Sequence, residues 1–312
     1  MVATRTSPIN LTNANNPINL VPSVFPRHSY IVPLPGGRSL VLGPRTLVMG
    51  ILNVTPDSFA DGGLWTDPSR AVAAALQMEA DGADLIDVGG ESTRPGAEPL
   101  PLDVELARVM PVVEALASRL RVPISVDTYK AEVARRALAA GAAIVNDVSA
   151  LRYDPALASV VAQAGAALVL MHNRGRSREM YHQAHYSSVG DEVAGELAGR
   201  VEAAIAEGVA RDRVIVDPGL GFAKQAGHSL EVLARLPEIA RLDRPLLVGP
   251  SRKSFLKVGL GDRTPADREW GTAAAVAAAV MGGAHIIRVH AVKEMVDVVR
   301  TIDALRQAGR AT

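Results

Sequence analysis

Eight short apolar runs in this chain each end in a polar or charged residue. They are Leu47–Leu52 before Asn53, Leu85–Ile86 before Asp87, Ile124–Val126 before Asp127, and Ile144–Val145 before Asn146. The series continues with Leu168–Met171 before His172, Val214–Val216 before Asp217, Leu246–Val248 leading to Ser251-Arg252-Lys253, and Ile286–Ile287 before Arg288 and His290. Runs of Val, Ile and Leu without alternation read as strands buried on both faces. A polar residue at the C-terminal end of each such strand is where a parallel α/β barrel keeps its active site. One pattern therefore predicts both the architecture and the place of the chemistry.

Helical periodicity fills the gaps, near residues 69–81, 103–120, 130–140, 155–164, 190–209, 229–240, 269–281 and 293–308. Gly82, Gly141, Gly165, Gly208 and Gly282 stand just past these segments, where a left-handed C-cap belongs. Regular alternation of β and α implies right-handed crossovers and a parallel sheet. Eight units, with no G-x-G-x-x-G at the first strand–helix turn, favour a closed (β/α)8 barrel over an open dinucleotide-binding sheet. The chain has 312 residues, and such a barrel uses roughly 250 as one domain. The expected division is a mobile tail over residues 1–27, a hairpin over 28–45 and the barrel over 46–312. The tail is rich in Asn, Thr and Pro, and no acidic residue precedes Asp57. A transit peptide shares that composition, but no amphipathic Arg-rich helix accompanies it.

Lys plus Arg and Asp plus Glu both number 33, so the formal charge is zero. That balance gives no electrostatic reason to bind nucleic acid or an anionic membrane. Cysteine is absent, which excludes disulfides, thiolate metal ligands and thiol catalysis, and fits a cytoplasmic location. No apolar stretch reaches the roughly 18 residues of a membrane span.

The strand ends divide by charge. Asp87, Asp127, Asp217 and Asn146 make a floor rich in acceptors, suited to a flat heterocycle that presents several N–H donors. Ser251-Arg252-Lys253-Ser254 and Arg288-Val289-His290 follow the last two strands, where barrels commonly build an anion site. Residues 288 and 290 share one face of their strand. Asn53 is an oxygen ligand compatible with Mg²⁺, which takes only one or two protein groups. His172, followed by Asn173 and Arg174, reads as a prop for neighbouring groups. Two strand–helix loops, 53–68 and 89–102, are long, polar and rich in Gly and Pro, and both fall on the active-site face.

Longer motifs join these residues. Ile51-Leu52-Asn53-Val54-Thr55-Pro56-Asp57-Ser58-Phe59 and Asp87-Val88-Gly89-Gly90-Glu91-Ser92-Thr93-Arg94-Pro95-Gly96 resemble the two signature segments of the dihydropteroate synthases. So do Ser125-Val126-Asp127-Thr128, Asn146-Asp147-Val148, Asp217-Pro218-Gly219 with Gly221-Phe222 and Lys224, Ser251-Arg252-Lys253-Ser254, and Arg288-Val289-His290. The resemblance covers about residues 38–308. It implies condensation of 6-hydroxymethyl-7,8-dihydropterin diphosphate with 4-aminobenzoate, giving 7,8-dihydropteroate and diphosphate, with Mg²⁺. It implies that Lys253, Asp87 and Asp217 are catalytic. Asp127, Asn146, Asp217, Lys253 and Arg288 would bind the pterin. Asn53, Thr93, Arg288 and His290 would hold the diphosphate, with Asn53 on the metal. Phe59, Arg94, Pro95, Phe222 and Ser254 would shape the aminobenzoate pocket. The family is a sulfonamide target and commonly a homodimer. Asn173-Arg174, Leu220, Ala223 and Ala291 depart from its usual pattern, and none of them is a named ligand. Two competing readings are a pterin-dependent methyltransferase and a pterin-binding paralogue without activity. The Glu-Ser-Thr-Arg-Pro-Gly loop with Arg288 and His290 disfavours the first, and the complete ligand set disfavours the second.

Overall fold

The apolar runs become strands that close on themselves. The computed structural model describes residues 25–55, 68–94, 96–176 and 178–309. Phe59, Pro95 and most of the first long loop lie outside the described residues, as does the expected tail up to residue 24.

Two short strands, β1 (Tyr30–Pro33) and β2 (Ser39–Leu42), pair antiparallel. The turn between them uses Gly36 and Gly37 at φ +72° and +73°, a conformation open to glycine without steric cost. Their inward residues Val32, Leu34, Leu40 and Leu42 join Leu47, Leu85, Ile144, Ile215 and Ile286 in one apolar cluster. Those partners open the barrel strands, so the hairpin plugs the end of the barrel opposite the chemistry. Residues 25–27, which the sequence assigns to the tail, pack against the barrel. Arg27 is buried against Asp303 and Thr46, and the Phe25 N–H donates to the Met281 carbonyl.

The barrel strands are β3 (Leu47–Asn53), β4 (Leu85–Gly89), β5 (Ile124–Asp127), β6 (Ile144–Asp147), β7 (Ala167–Met171), β8 (Val214–Asp217), β9 (Leu247–Val248) and β10 (Ile286–Val289). All are parallel, in the order β8-β7-β6-β5-β4-β3-β10-β9. A single parallel bridge from Val216 to Leu246, with Val216 N–H donating to Pro245 O at 2.9 Å, joins the two ends of the sheet. The result is a (β/α)8 barrel.

Ten described α-helices pack outside: α1 (Pro68–Ala80), α2 (Leu102–Ala117), α3 (Ala131–Ala139), α4 (Leu157–Ala164), α5 (Val189–Ala206), α6 (Ala226–Ala234), α7 (Leu236–Ala240), α8 (Lys257–Leu260), α9 (Glu269–Met281) and α10 (Val292–Ala308). The helix expected over 229–240 is two, because Pro237 cannot continue the ladder of α6 and starts α7 instead. Gly82, Gly141, Gly165 and Gly208 take positive φ as expected. After α9 the left-handed residue is Gly283, at φ +97°, one place beyond Gly282. No helix among the described residues is long and apolar enough to cross a membrane.

Side chains alternate along each strand, and the alternation sorts the core. Leu47 and Met49 of β3 belong to the inner cluster, while Val48 and Leu52 pack outward against the helices. The same holds for Leu85 and Ile86, Ile144 and Val145, Ile215 and Val216, and Ile286 and Ile287. Counting two residues along from each inner position gives Asp87, Asn146, Asp217 and Arg288. The strand period thus aims these groups into the lumen.

Candidate active site

The floor is an ion-paired cluster. Arg288 Nε donates to Asp87 Oδ2 at 2.6 Å, and its Nη2 donates to Asp127 Oδ2 at 2.7 Å. Asn146 Nδ2 donates to the same Asp87 oxygen at 2.9 Å. The Asp87 side chain is fully buried, and its Oδ1 has no hydrogen-bond partner among the described residues. A buried carboxylate persists when paired and hydrogen-bonded, and Arg288 with Asn146 supplies that here. Burial pushes the Asp127 carboxyl up to about 7; Arg288 opposes this, and Asp87 reinforces it. Burial likewise lifts Asp217 to about 6, against the Gly219 N–H, which donates to its Oδ1 at 2.7 Å, and against the Lys253 charge.

Across the mouth the charge changes sign. Burial, then the neighbouring Arg288, lowers the Lys253 ammonium to about 8. Its Nζ sits 4.0 Å from the centroid of the Phe222 ring, a cation–π contact. His290 is kept neutral, at about 3, by burial and then by the charges of Arg252, Arg288, Lys253 and Arg94. Four cations make the surroundings of this neutral imidazole favourable to an anion. Ser251 Oγ lies 2.9 Å from His290 Nδ1. With the hydroxyl donating there, the ring keeps its proton on Nε2, where it can donate to an anion.

The structure brings Thr93 of the second loop and Phe222 to one cleft, which Glu91, Tyr129, Tyr153 and Arg176 also line. Arg94 and Ser254 are exposed at the mouth. Asn53 ends β3 half-buried, in register with Gly89 of β4. No group of three or more His, Cys, Asp or Glu able to hold a metal occurs among the described residues. One amide oxygen fits a cation held mainly by a substrate's phosphates and by water. Arg252 does not join the pocket as a ligand. Its backbone is left-handed at φ +58°, and its guanidinium is tied to Glu269, so only its charge reaches His290.

The profile of the pterin binding enzyme family matches residues 49–290, the whole run of rim residues just described. The chain belongs to this family. It resembles the dihydropteroate synthase of Synechocystis sp., with 47% identity over 274 residues, 88% of this chain and 95% of that one. A solved Xanthomonas albilineans dihydropteroate synthase with 4-aminobenzoic acid superposes with a TM-score of 0.82 at 43% identity, covering 88% of this chain and 98% of its own. A second structure of that enzyme, in complex with 7,8-dihydropteroate, gives a TM-score of 0.79 at 41% identity, covering 88% and 99%.

One group of residues in this pterin-binding enzyme escapes a sequence reading, and a second, whose histidine the sequence offers as a prop, gains its partners only from the fold. Lys130 bridges Glu91 of the second loop to the buried Glu105, and Tyr129 OH donates to Glu91 at 2.8 Å. This ties the root of the loop to the end of β5. The other group centres on His172. Leu168 and Leu170 of β7 face the helices, so His172 shares their side and points away from the lumen. There it meets Lys224 and Glu196. The sign of burial at Lys224 is invisible in sequence, whereas the strand parity of His172 could have been counted from Leu168.

Proposed function

We propose that this chain joins 6-hydroxymethyl-7,8-dihydropterin diphosphate to 4-aminobenzoate, releasing diphosphate and forming 7,8-dihydropteroate. The observation that carries this reading is Arg288, which pairs with the acidic floor and lends its charge to the pocket of neutral His290. One guanidinium therefore stands where a pterin ring and its diphosphate arm meet.

The acids receive the ring. Asp127 and Asp217, when ionised, accept from its N–H groups, Asn146 adds an amide, and Asp87 fixes Asn146 and Arg288 from below. Arg288 and His290 stabilise the charge that grows on the departing diphosphate, and Thr93 of the second loop would close on it from the neighbouring cleft. Departure of the diphosphate with the bonding pair leaves a cation at the pterin methylene carbon, delocalised into the ring. The buried carboxylates stabilise that cation electrostatically, in a medium where such interactions are strong. The aromatic amine then attacks the methylene carbon and loses a proton. It is nucleophilic near neutral pH, so the step needs no strong base. Lys253 over Phe222 forms the wall between the two substrates. A Mg²⁺ ion held by Asn53 and the diphosphate would neutralise phosphate charge. The second loop, rooted through Glu91 on Lys130, would help to exclude water from the cation.

Purified protein with Mg²⁺ and both substrates should form dihydropteroate with equal release of diphosphate, and sulfonamides should compete with 4-aminobenzoate. Pterin binding without turnover would overturn this reading in favour of a paralogue without activity. The enzyme is expected to work in the cytoplasm and as a homodimer. Light scattering on eluted protein tests the oligomer.

A further inference from the structure

Lys224 is 1% exposed, and the reaction above gives it no task. Its ammonium has three donors, and each meets an acceptor: His172 Nδ1 at 2.8 Å, Gly219 O at 3.1 Å and Phe222 O at 3.1 Å. A buried ammonium persists only with its donors satisfied and counter-charge nearby. Burial pulls Lys224 down to about 7, against Asp217 and Glu196, while Arg174 and Lys253 add to the fall.

His172 is built to receive that ammonium. Burial, then the Lys224 charge, holds the imidazole at about 4, so it is neutral and Nδ1 is free to accept. The proton then sits on Nε2, 3.2 Å from Glu196 Oε2, a polar contact of a neutral ring with a carboxylate that lacks the alignment of a hydrogen bond. Glu196 is held in turn by Arg174 and, at 3.5 Å, by Arg152. A polar line therefore runs from helix α5 through His172 to Lys224.

The turn that Lys224 grips joins two groups of the site. At one end the Gly219 N–H caps Asp217. At the other, the Phe222 ring carries the Lys253 ammonium. The turn also lies hard against its support. Gly219 is at φ +68°, and a Cβ there would stand 2.0 Å from the His172 carbonyl oxygen. Asp217 has a second anchor in β8, where its carbonyl accepts from the His172 N–H at 2.8 Å. The Phe222 carbonyl depends on Lys224 more directly.

We propose that Lys224 is a positioning residue for the aminobenzoate half of the reaction: its ammonium clamps the turn from Gly219 to Phe222 onto His172 and so fixes the ring on which Lys253 rests. The inference rests on the synthase reading, and it makes the effect of Lys224 conditional on Phe222.

A double-mutant cycle reads that condition. Lys224→Met, Phe222→Ala and the double variant are compared with the wild type in two measurements, the Michaelis constant for the aminobenzoate substrate and the affinity for free 6-hydroxymethyl-7,8-dihydropterin. Lys224→Met should raise the aminobenzoate KM about tenfold and change the pterin Kd less than about threefold, since Asp217 keeps its anchor in β8 while the Phe222 carbonyl loses its contact. In the Phe222→Ala background it should add less than about twofold, because the residue it acts through is gone. An undiminished KM effect in both backgrounds would mean a general structural effect and overturn the proposal. So would an equal loss of pterin affinity. Should Lys224→Met fail to fold, Lys224→Gln, whose shorter neutral amide has two donors for three acceptors and so loosens the clamp, enters the same cycle with a smaller KM effect that must still vanish in the Phe222→Ala background. A wild type without turnover would remove the synthase reading and the proposal together, whereas additivity in an active enzyme removes only the proposal.

Discussion

Replacing Arg288 with Met, which keeps much of the volume and removes the charge, should produce a stability loss that grows with pH. The side chains of Arg288, Asp87 and Asp127 are 17%, 0% and 13% exposed, so the cluster is little screened by water. Breaking a buried pair by removing one partner costs about 3–5 kcal/mol, because the remaining charge is left without compensation. The cost depends on whether Asp127 can escape by taking a proton. In the native protein Asp127 titrates at about 7, with Arg288 holding it down. Loss of that guanidinium should raise it by about 2 units, so that it stays protonated through pH 8. The unfolded chain binds no proton there in this range, so the folded state with a raised pKa loses stability as pH rises. Between about pH 6 and pH 8 a single acid titrating at the native value costs about 1.4 kcal/mol, and one that stays protonated throughout costs about 2.7. The penalty of Arg288→Met, measured by equilibrium urea unfolding, should therefore be larger at pH 8 than at pH 6 by about 1.4 kcal/mol. A penalty that is equal at both values, or smaller at pH 8, would refute the coupling between Arg288 and Asp127.

Three further outcomes follow from the site. The kcat/KM for the pterin diphosphate should fall on the acid side as Asp127 and Asp217 protonate, near 7 and 6, and on the basic side as Lys253 loses its proton near 8; a profile flat across that range would exclude these ionisations from substrate capture. Gly219→Ala should cost more than about 3 kcal/mol in urea unfolding, since it combines positive φ with a backbone clash, and wild-type stability would show that the turn is built differently. Asn53→Ala should raise the Mg²⁺ concentration for half-maximal turnover by about tenfold without changing affinity for the free pterin; an unchanged Mg²⁺ requirement would take Asn53 off the metal.

The lumen-facing groups are legible in the sequence because a strand has period 2 and an uninterrupted apolar run fixes its register. Asp87, Asn146, Asp217 and Arg288 each sit two residues beyond a buried aliphatic, so their direction follows from position alone. His172 looks like the same kind of rim residue, but it keeps step with Leu168 and Leu170, which face the helices. Lys224 falls within a motif yet shows no task of its own there, because the residues beside it in sequence do not reveal its burial. Only the tertiary meeting of β7 and the turn after β8 buries it. Arg252 is hidden for a related reason: its turn away from the pocket depends on Thr272 and Glu269, which another helix supplies. The break between α6 and α7 is written in Pro237, whereas the apolar period alone runs straight through it.

The barrel is closed by its thinnest strand. β9 has two residues, and one bridge between Val216 and Leu246 joins it to β8. In mechanical terms the ring is a hoop with one narrow weld. Asp217 lies on one lip of that weld and Lys253 is carried from the other, close enough for each to feel the other's charge. A ligand that contacts both residues therefore spans the weld, and its binding free energy is added to the joint with the fewest backbone hydrogen bonds. Amide exchange at Val216 should slow more on pterin binding than exchange at the densely paired β3–β4 side, so the joint itself reports occupancy.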